Sequence, residues 1–460
     1  MTIINIPKRV QILRQKFNNS LGLPFQELLP ESIIQEALKA EKITYRKRLF
    51  DPFVTIWAFL SQALDTDKSC GNAVSRIIAW LANENALIPS DDTSAYCQAR
   101  QRLPEKMLQQ LFSIVAQKLE SKTTKEHLWC GRHVKIVDGS TVSMPDTLEN
   151  QATYPQPNSQ APGCGFPIAK FGVLFSLATG AAVTVIVDIL NTHDVRLARK
   201  LYQELDSGGV LLGDRAFGSY ADFVFVQNHS CDALFRKHQG RNNNMRRGKR
   251  FGPCDQLVLW QKPKSCPKGL TKEEFASLPL DLVLREVHYY INIPGFRTKQ
   301  VTLVTTLLDA IEYPIQELVE LYDLRWQVEI NLNHLKTTLG MEQLRSKTLV
   351  TVRKELYIYL LAYNLLPTIM WEGSTTYGVD PLQLSIQRTR QHLDNFTPEL
   401  ASASARKRDR LYQTLLETIV HKLVPKLIGR SEPRVCKRRP KAYPLMQQPR
   451  QVLRYKGCAA

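Results

Sequence analysis

The sequence lacks the cysteine pairs on which a disulfide framework or a structural zinc site depends. Its nine cysteines are odd in number and scattered, and none of them form a CxxC pair. It also lacks a long apolar run: the most apolar stretch, 357–371, is too short to span a bilayer and contains Pro367. The N-terminus has no apolar segment of the signal-peptide type. We therefore expect a cytoplasmic protein of a reducing compartment, with a buried helix at 357–371 and no membrane partner.

Acidic residues are also in short supply. The chain has 43 Asp and Glu against 61 Lys and Arg, which gives a net charge of +18. Such an excess of positive charge attracts polyanions, of which a nucleic-acid backbone is the commonest. A basic protein without such a partner is the alternative. Hydrophobic residues make up 43% of the sequence, enough for buried cores, and the length predicts roughly two to four structural units.

The order of sequence patterns predicts five segments. Residues 1–125 have helical apolar spacing and predict an all-helical N-terminal domain. Residues 126–237 read as strands and a helix, the first part of a mixed α/β core. Residues 238–310 alternate like strands and predict a β-rich insertion, and two long helices in 311–372 complete the core. Residues 373–460 form a C-terminal region with a basic tail, either a DNA or dimer contact or only a solubilising segment.

A second basic stretch begins at Arg236 and continues to Arg250 without an acidic residue. A run of this kind either follows a DNA backbone or forms a solvated surface loop. We expect it to contact DNA through Lys237, Arg241, Arg246 and Arg247.

The segment from Pro314 to Leu339 predicts one long helix with two distinct faces. At about 100° per residue, four polar residues fall within a stripe roughly 60° wide. These are Tyr322, Arg325, Glu329 and Lys336. A separate stripe carries the apolar residues Leu321, Leu324, Val328, Leu332, Leu335 and Leu339. The helix thus presents a carboxylate flanked by cations, although Arg325 and Glu329 alone could be an ordinary i,i+4 pair on a solvated face.

Two aspartates lie where predicted strands end, Asp138 in KIVDGS and Asp214 in VLLGDRAF. Each alone is typical of a turn or a cap. Together with Glu329 they form a pattern, because ligand sites of α/β sheets lie at strand ends. Three converging carboxylates need cations between them to stay ionised, and hard oxygen ligands favour Mg²⁺ or Mn²⁺.

These residues resemble a known family. The order Asp138, Asp214, Glu329 within IVDGST, GDRAFGSY and YDLRWQVEINLNHLK is similar to that of the DDE transposases. The spacing of Tyr322, Arg325, Glu329 and Lys336 resembles the Y-R-E-K signature of the insertion-sequence-four type. The resemblance covers residues 128 to 366. It implies a ribonuclease-H-like mixed α/β sheet with flanking helices, interrupted by the β-rich insertion and preceded by the helical domain.

The resemblance also implies an activity and its partners. It implies cut-and-paste transposition through hairpin ends, on double-stranded DNA that carries terminal inverted repeats and on target DNA. It implies a homodimer on paired ends, associated with the nucleoid. Asp138, Asp214 and Glu329 are the expected catalytic residues and metal ligands. They would hold two Mg²⁺ or Mn²⁺ ions, about 4 Å apart in such sites, around the scissile phosphate.

The remaining expectations concern DNA contacts. Tyr322, Arg325 and Lys336 are expected beside the cut phosphate, and Arg215 is either a further contact or a surface residue. Trp260 could stack a displaced base, or be a buried strand residue. Two other functions are compatible with the sequence: a ribonuclease-H-like nuclease without transposition, and an inactive DNA-binding repressor derived from a transposase.

Overall fold

The chain forms two compact units, each built from separate stretches of sequence. The computed structural model describes residues 6–46, 48–238, 240–241, 244–245, 248–267, 269–291, 300–424 and 446–455. The helical unit consists of the described parts of Met1–Lys122, Thr179–Ala182 and Asn333–Pro425. The sheet unit consists of the described parts of Thr123–Ala178, Val183–Leu332 and Lys426–Ala460.

The helices and strands are numbered in chain order. The helices are α1 (Ile6–Asn19), α2 (Glu31–Ala40), α3 (Pro52–Leu64), α4 (Cys70–Asn83), α5 (Ser94–Arg102), α6 (Glu105–Glu120), α7 (Leu148–Thr153), α8 (Asp194–Leu201), α9 (Tyr220–Asn228), α10 (Lys272–Ser277), α11 (Ile315–Asp323), α12 (Gln327–Asn333), α13 (Leu349–Tyr377), α14 (Ile386–Ser402), α15 (Ala405–Val420) and α16 (Arg450–Tyr455). The strands are β1 (Val134–Ser143), β2 (Ile168–Ser176), β3 (Ala182–Ile189), β4 (Val210–Gly213), β5 (Asp232–Arg236), β6 (Lys249–Gly252), β7 (Asp255–Gln261), β8 (Asp281–Tyr290) and β9 (Gln300–Thr305). Across the described residues, no helix has the length and apolar character needed to cross a membrane.

The helical unit is organised around two buried helices. Helix α3 begins where Asp51 accepts a hydrogen bond from the Val54 N–H at 2.8 Å and Pro52 occupies the first turn. Helix α13 contains the apolar stretch 357–371 and is buried along most of it, as predicted. Its Asn364 side chain exchanges two hydrogen bonds with the main chain of Ala182, at 2.9 and 2.8 Å, so a buried amide has both of its groups satisfied.

The sheet unit is built on a nine-stranded mixed sheet in the order β3-β2-β1-β4-β5-β9-β8-β7-β6. Strands β1, β4 and β5 are parallel neighbours, whereas β2 and β9 run antiparallel to β1 and β5. An apolar core joins the sheet to α8 and α9, with Leu211, Phe223 and Phe235 fully buried in it. This is the ribonuclease-H-like mixed α/β architecture that the resemblance implied.

The β-rich segment 238–310 extends the core sheet. Its strands β9, β8, β7 and β6 follow β5 in an unbroken antiparallel series. Arg285 on β8 is fully buried, with its guanidinium paired to Asp255 on β7 at 2.6 Å. The same guanidinium donates to the main-chain oxygens of Asp309 and Tyr313, at 3.1 and 2.7 Å, immediately before α11.

The predicted long helix from Pro314 to Leu339 is continuous but not uniform. A 3₁₀ turn at Leu324–Trp326 separates α11 from α12, and a π-helical turn follows at His334–Thr338. The tighter turn rotates the chain further per residue than an α-helix does. Leu324 is therefore 38% exposed instead of joining the apolar face, whereas Leu321 and Val328 are buried as predicted.

Candidate active site

Asp138 and Asp214 lie at equivalent positions on neighbouring parallel strands. The pairing of β1 with β4 ends at Ile136 and Leu212, and each aspartate follows two residues later. The prediction that Asp138 ends its strand is wrong. Strand β1 continues through Asp138 to Ser143, because it stays paired with β2 on its other side. The pairing of β1 with β4 does end before Asp138. Asp138 therefore still lies where the two parallel strands separate, which is where ligand sites of α/β sheets form.

The electrostatics show that the three predicted carboxylates influence one another. The pKa of Asp138 is raised to about 6, mainly by burial and also by the negative charges of Asp214 and Glu329. The Gly139 N–H, which donates to Asp138 Oδ1 at 2.7 Å, and the Arg325 guanidinium act in the opposite direction. Like charges that raise a pKa mark the place where a bound cation is stabilised most.

Glu329 on α12 lies on the exposed side of this group. Its carboxylate is 45% exposed and accepts a hydrogen bond from Arg325 at 3.3 Å. The Arg325 side chain is 12% exposed, and its buried Nε finds no acceptor among the described residues. Arg325 therefore carries a donor that a further oxygen atom can use.

Tyrosine side chains border the same place. Tyr322 is 7% exposed, and burial raises its pKa to about 12 although Arg325 and Arg236 lower it. Tyr289 on β8 has a pKa raised by burial and by Asp323, and the cations Arg236 and Arg325 also act on it. Both hydroxyls are consequently protonated at neutral pH and can donate a hydrogen bond.

The other two predicted phosphate contacts lie near these residues in sequence. Arg215 follows Asp214 and is exposed, at the turn where Asp214 Oδ1 accepts from the Ala216 N–H at 2.6 Å. Lys336 is half-buried in the π-helical turn after α12, and it belongs to the helical unit. Their roles remain predictions.

Two of the four residues predicted in the basic stretch, Lys237 and Arg241, belong to a network that also includes Trp260 and Glu286. Lys237 forms an ion pair with Glu286 at 2.6 Å, and both side chains are almost fully buried. Trp260 is 8% exposed and donates its indole N–H to the same carboxylate at 3.1 Å. The Arg241 guanidinium covers the Trp260 ring at 3.7 Å from its centroid. Trp260 thus has the environment of the buried alternative, and its ring face is covered. Arg246 and Arg247 lie outside the described residues.

Two further residues lie in this part of the sheet unit: Trp326, for which the sequence suggested no role, and Arg236, which was predicted only as the start of the basic stretch. Trp326 is 49% exposed, and the Arg325 guanidinium lies 5.1 Å from its ring centroid. An exposed tryptophan three residues before Glu329 was visible in the sequence, but its exposure depends on the 3₁₀ turn. Arg236 ends β5, beside the strand that leads to Asp214. The position of Arg236 next to Asp214 follows from the register of β4 with β5, and the sequence alone does not supply that register.

The carboxylates suit a divalent metal by their chemistry, since they are hard, closely interacting oxygen ligands with a shortage of positive charge. Within the described ranges, no three Asp, Glu, His or Cys side chains are close enough together to hold one ion as they stand. The side chain of Glu329 is paired with Arg325. Ligation by all three carboxylates therefore requires Glu329 to exchange this partner.

Comparison with known proteins agrees with this arrangement. The family described as "Transposase DDE domain" matches residues 129–365, slightly more than half of the chain. The family described as "Insertion element 4 transposase N-terminal" matches residues 19–113. The chain is 26% identical over 424 residues to the transposase InsG for insertion sequence element IS4 of Escherichia coli (strain K12), covering 90% of this chain and 91% of that protein.

Among solved structures, the piggyBac transposase synaptic complex with hairpin DNA aligns with a TM-score of 0.44 and 13% identity, over 91% of this chain and 88% of that one. The DDE transposases generally use divalent metal ions. The family matches, together with the mixed sheet, identify the enzyme class. The chain belongs to the DDE transposases of insertion sequences and has the N-terminal domain of the insertion-element-4 type.

Proposed function

We propose that Asp138, Asp214 and Glu329 are the catalytic carboxylates and hold two Mg²⁺ or Mn²⁺ ions. The observation that supports this most is the mutual repulsion at Asp138, where two other carboxylates add to the effect of burial. When bound, the ions activate the attacking hydroxyl and stabilise the leaving oxygen. Asp138, on which both other carboxylates act, would hold the ions together with Asp214 and Glu329.

The residues around the carboxylates can bind the DNA strand that is cut. Arg325 has an unused buried Nε–H that can donate to a phosphate oxygen while the guanidinium stays beside Tyr322. When Glu329 turns toward a metal ion, the rest of the Arg325 fork is released for the same phosphate. Tyr322 keeps its proton and donates to a neighbouring oxygen. Lys336 lies in the helical unit, and its phosphate contact is proposed from the family resemblance alone.

An exposed ring is available for a base next to the cut. Trp326 has about half of its surface free, whereas Trp260 is covered on its ring face. We therefore assign base stacking to Trp326 in place of Trp260. Stacking on an aromatic ring stabilises an unpaired base by about 1–3 kcal/mol. Such a base arises when a strand bends sharply into a hairpin.

The complete reaction that we propose is cut-and-paste transposition. The protein excises an element with terminal inverted repeats through hairpin ends and joins those ends to target DNA, as a homodimer on paired ends. The net charge of +18 favours contacts with DNA beyond the active site.

The test uses a short duplex whose end carries the inverted repeat flanking the coding sequence, called here the end duplex. We expect purified full-length protein to cleave the end duplex in Mg²⁺ and to join it to a supercoiled plasmid. Glu329→Gln should lose both activities by at least about a thousandfold, or roughly 4 kcal/mol of transition-state stabilisation. Denaturing gels separate nicked, hairpin and joined products.

Glu320→Gln is the matched control, because Glu320 lies on α11, away from the three carboxylates in the sequence. It should cleave like the unchanged protein. General degradation of DNA without joining would instead support the ribonuclease-H-like nuclease. Specific binding without Mg²⁺-dependent cleavage would support the repressor. Equal cleavage by Glu329→Gln and the unchanged protein would remove the assignment of the three carboxylates.

A further inference from the structure

A third side chain extends the row formed by Asp138 and Asp214. Strands β1, β4 and β5 are parallel and in register, with Ile136, Leu212 and Leu234 opposite one another. Two residues further along the chain come Asp138 within β1, Asp214 directly after the end of β4, and Arg236 at the end of β5. Since residues two apart in a strand point to the same face of a sheet, Asp138 and Arg236 lie on one face, and Asp214 follows the strand between them. Neighbouring strands are about 4.8 Å apart, so Arg236 follows directly after Asp214 in this row.

Among the described residues, no side chain neutralises the positive charge of Arg236 by an ion pair. In the part of the chain that the structure describes, its side chain forms neither an ion pair nor a hydrogen bond. The next residue, Lys237, is in the opposite situation because it is buried in an ion pair with Glu286. Arg236 and Lys237, being adjacent in sequence, thus point to opposite faces of the sheet. Lys237 is neutralised by Glu286, whereas Arg236 can bind an anion.

The surroundings of Arg236 are those of the active site. Its positive charge acts on the hydroxyl groups of both Tyr322 and Tyr289, and Arg325 acts on the same two groups. Arg236 and Arg325 therefore approach one pair of tyrosines from different elements, the end of β5 and the turn before α12. Arg325 is paired with Glu329, whereas Arg236 has no such partner among the described residues, so a phosphate oxygen can supply one.

Resting on the proposed function, we infer that Arg236 binds a non-bridging oxygen of a DNA phosphate at or next to the cut. Its position beside Asp214 places the guanidinium on the side of the row away from Asp138. There it can hold the phosphate group across from Arg325 without displacing a carboxylate. The planar fork of an arginine fits two phosphate oxygens, whereas a lysine provides only a point charge.

The experiment compares Arg236→Gln and Arg236→Lys with Arg196→Gln. Arg196 is an exposed arginine on α8 in the same unit, so it controls for the loss of one positive charge. We expect Arg236→Gln to lower the rate of end-duplex cleavage by about a hundredfold, as loss of one donor to a reacting phosphate does. Arg236→Lys should recover part of that loss. The melting temperatures of all three should equal that of the unchanged protein.

A second readout identifies the contact itself. The end duplex is prepared with a neutral methylphosphonate at each phosphate near the cut in turn. If Arg236 contacts one of them, that substitution and Arg236→Gln will not be additive in duplex binding. The slope of binding against salt concentration should also fall by about one phosphate contact in Arg236→Gln.

Either of two results in the cleavage and binding assays would overturn the inference. One is Arg236→Gln cleaving as fast as Arg196→Gln, and the other is full additivity with every methylphosphonate. Failure of the proposed function looks different, because the unchanged protein itself would then not cleave the end duplex. A loss of activity accompanied by a lower melting temperature would show a structural role for Arg236 and would also overturn it.

Discussion

Two carboxyl groups in different units of the molecule have a pKa raised to about 6, mainly by burial, but the balance of charges around them differs. The pKa of Asp394 in the helical unit is raised to about 6, mainly by burial, beside a cavity of about 140 Å³. Three cations, Arg390, Arg76 and Lys68, act against that shift, and Asp65 adds to it. Its environment is that of a compensated ion cluster.

Asp138 in the sheet unit also has a pKa of about 6, but most of the charged side chains that act on it are negative. Two carboxylates add to the effect of burial, and among the described residues the opposing side-chain charge is that of Arg325. The comparison shows that a raised pKa does not by itself indicate a functional site. The balance of charges around the group distinguishes a site that attracts a cation from one that is already neutralised.

The largest expected difference between the two groups is in metal-dependent activity. We expect Asp138→Asn to lower Mg²⁺-dependent cleavage of the end duplex by at least about a thousandfold, near 4 kcal/mol. Asp394→Asn should cleave normally. In a thermal unfolding experiment, Mn²⁺ at a hundredfold excess over its Kd should stabilise the unchanged protein and Asp394→Asn by about 2.7 kcal/mol. Asp138→Asn should not respond, and an equal response of both variants would contradict the distinction.

The next effect concerns stability and pH. The folded-state pKa of Asp394 lies above the value of about 4 in an unfolded chain, so between these values the folded protein binds the proton more tightly. The unfolding free energy should therefore rise as the pH is lowered from 7 toward 5. Asp394→Asn should reduce this rise by about 1 kcal/mol in urea unfolding without metal. An unchanged pH dependence would show that Asp394 is compensated fully by its cations.

The smallest effect separates the two tryptophans of the sheet unit. Trp326→Ala should weaken binding of an end duplex with an unpaired terminal base by about tenfold, within the range of one lost stacking contact, and leave the melting temperature unchanged. Trp260→Ala should lower the melting temperature, because its buried ring and its hydrogen bond to Glu286 are lost. Fluorescence anisotropy and thermal unfolding measure both. If Trp260→Ala bound the end duplex more weakly and kept the melting temperature of the unchanged protein, base stacking would be assigned to Trp260 instead of Trp326.

The pattern of three carboxylates is visible in the sequence because it depends on local signals, and its catalytic role stays a prediction. Aspartates after apolar strands and the spacing around Glu329 are visible without long-range contacts. The buried helix at 357–371 was equally predictable, because apolar composition alone determines it. These features specify which elements exist and which residues they carry.

The features that were not predicted depend on pairing between distant segments. Asp138 lies within its strand because β2 continues beside it, which the strand's own residues do not show. Lys237 belongs to a basic run in the sequence, yet its charge is buried because Glu286 on β8 lies opposite. The exposure of Leu324 and Trp326 follows from a 3₁₀ turn that uniform helical spacing does not predict.

The guanidinium of Arg285 connects the inserted strands to the polypeptide that leads into the glutamate-bearing helix. It donates hydrogen bonds to the main-chain oxygens of Asp309 and Tyr313, and it is itself held by Asp255 on β7. Strands β7 and β8 therefore fix the direction in which α11 leaves the sheet. The long stretch between Asp214 and Glu329 is therefore a scaffold for the helix that carries Glu329. A chimera that exchanges this stretch for that of a relative must bring its own equivalent of this contact, or the carboxylate of Glu329 will be misaligned although Asp138, Asp214 and Glu329 are all present.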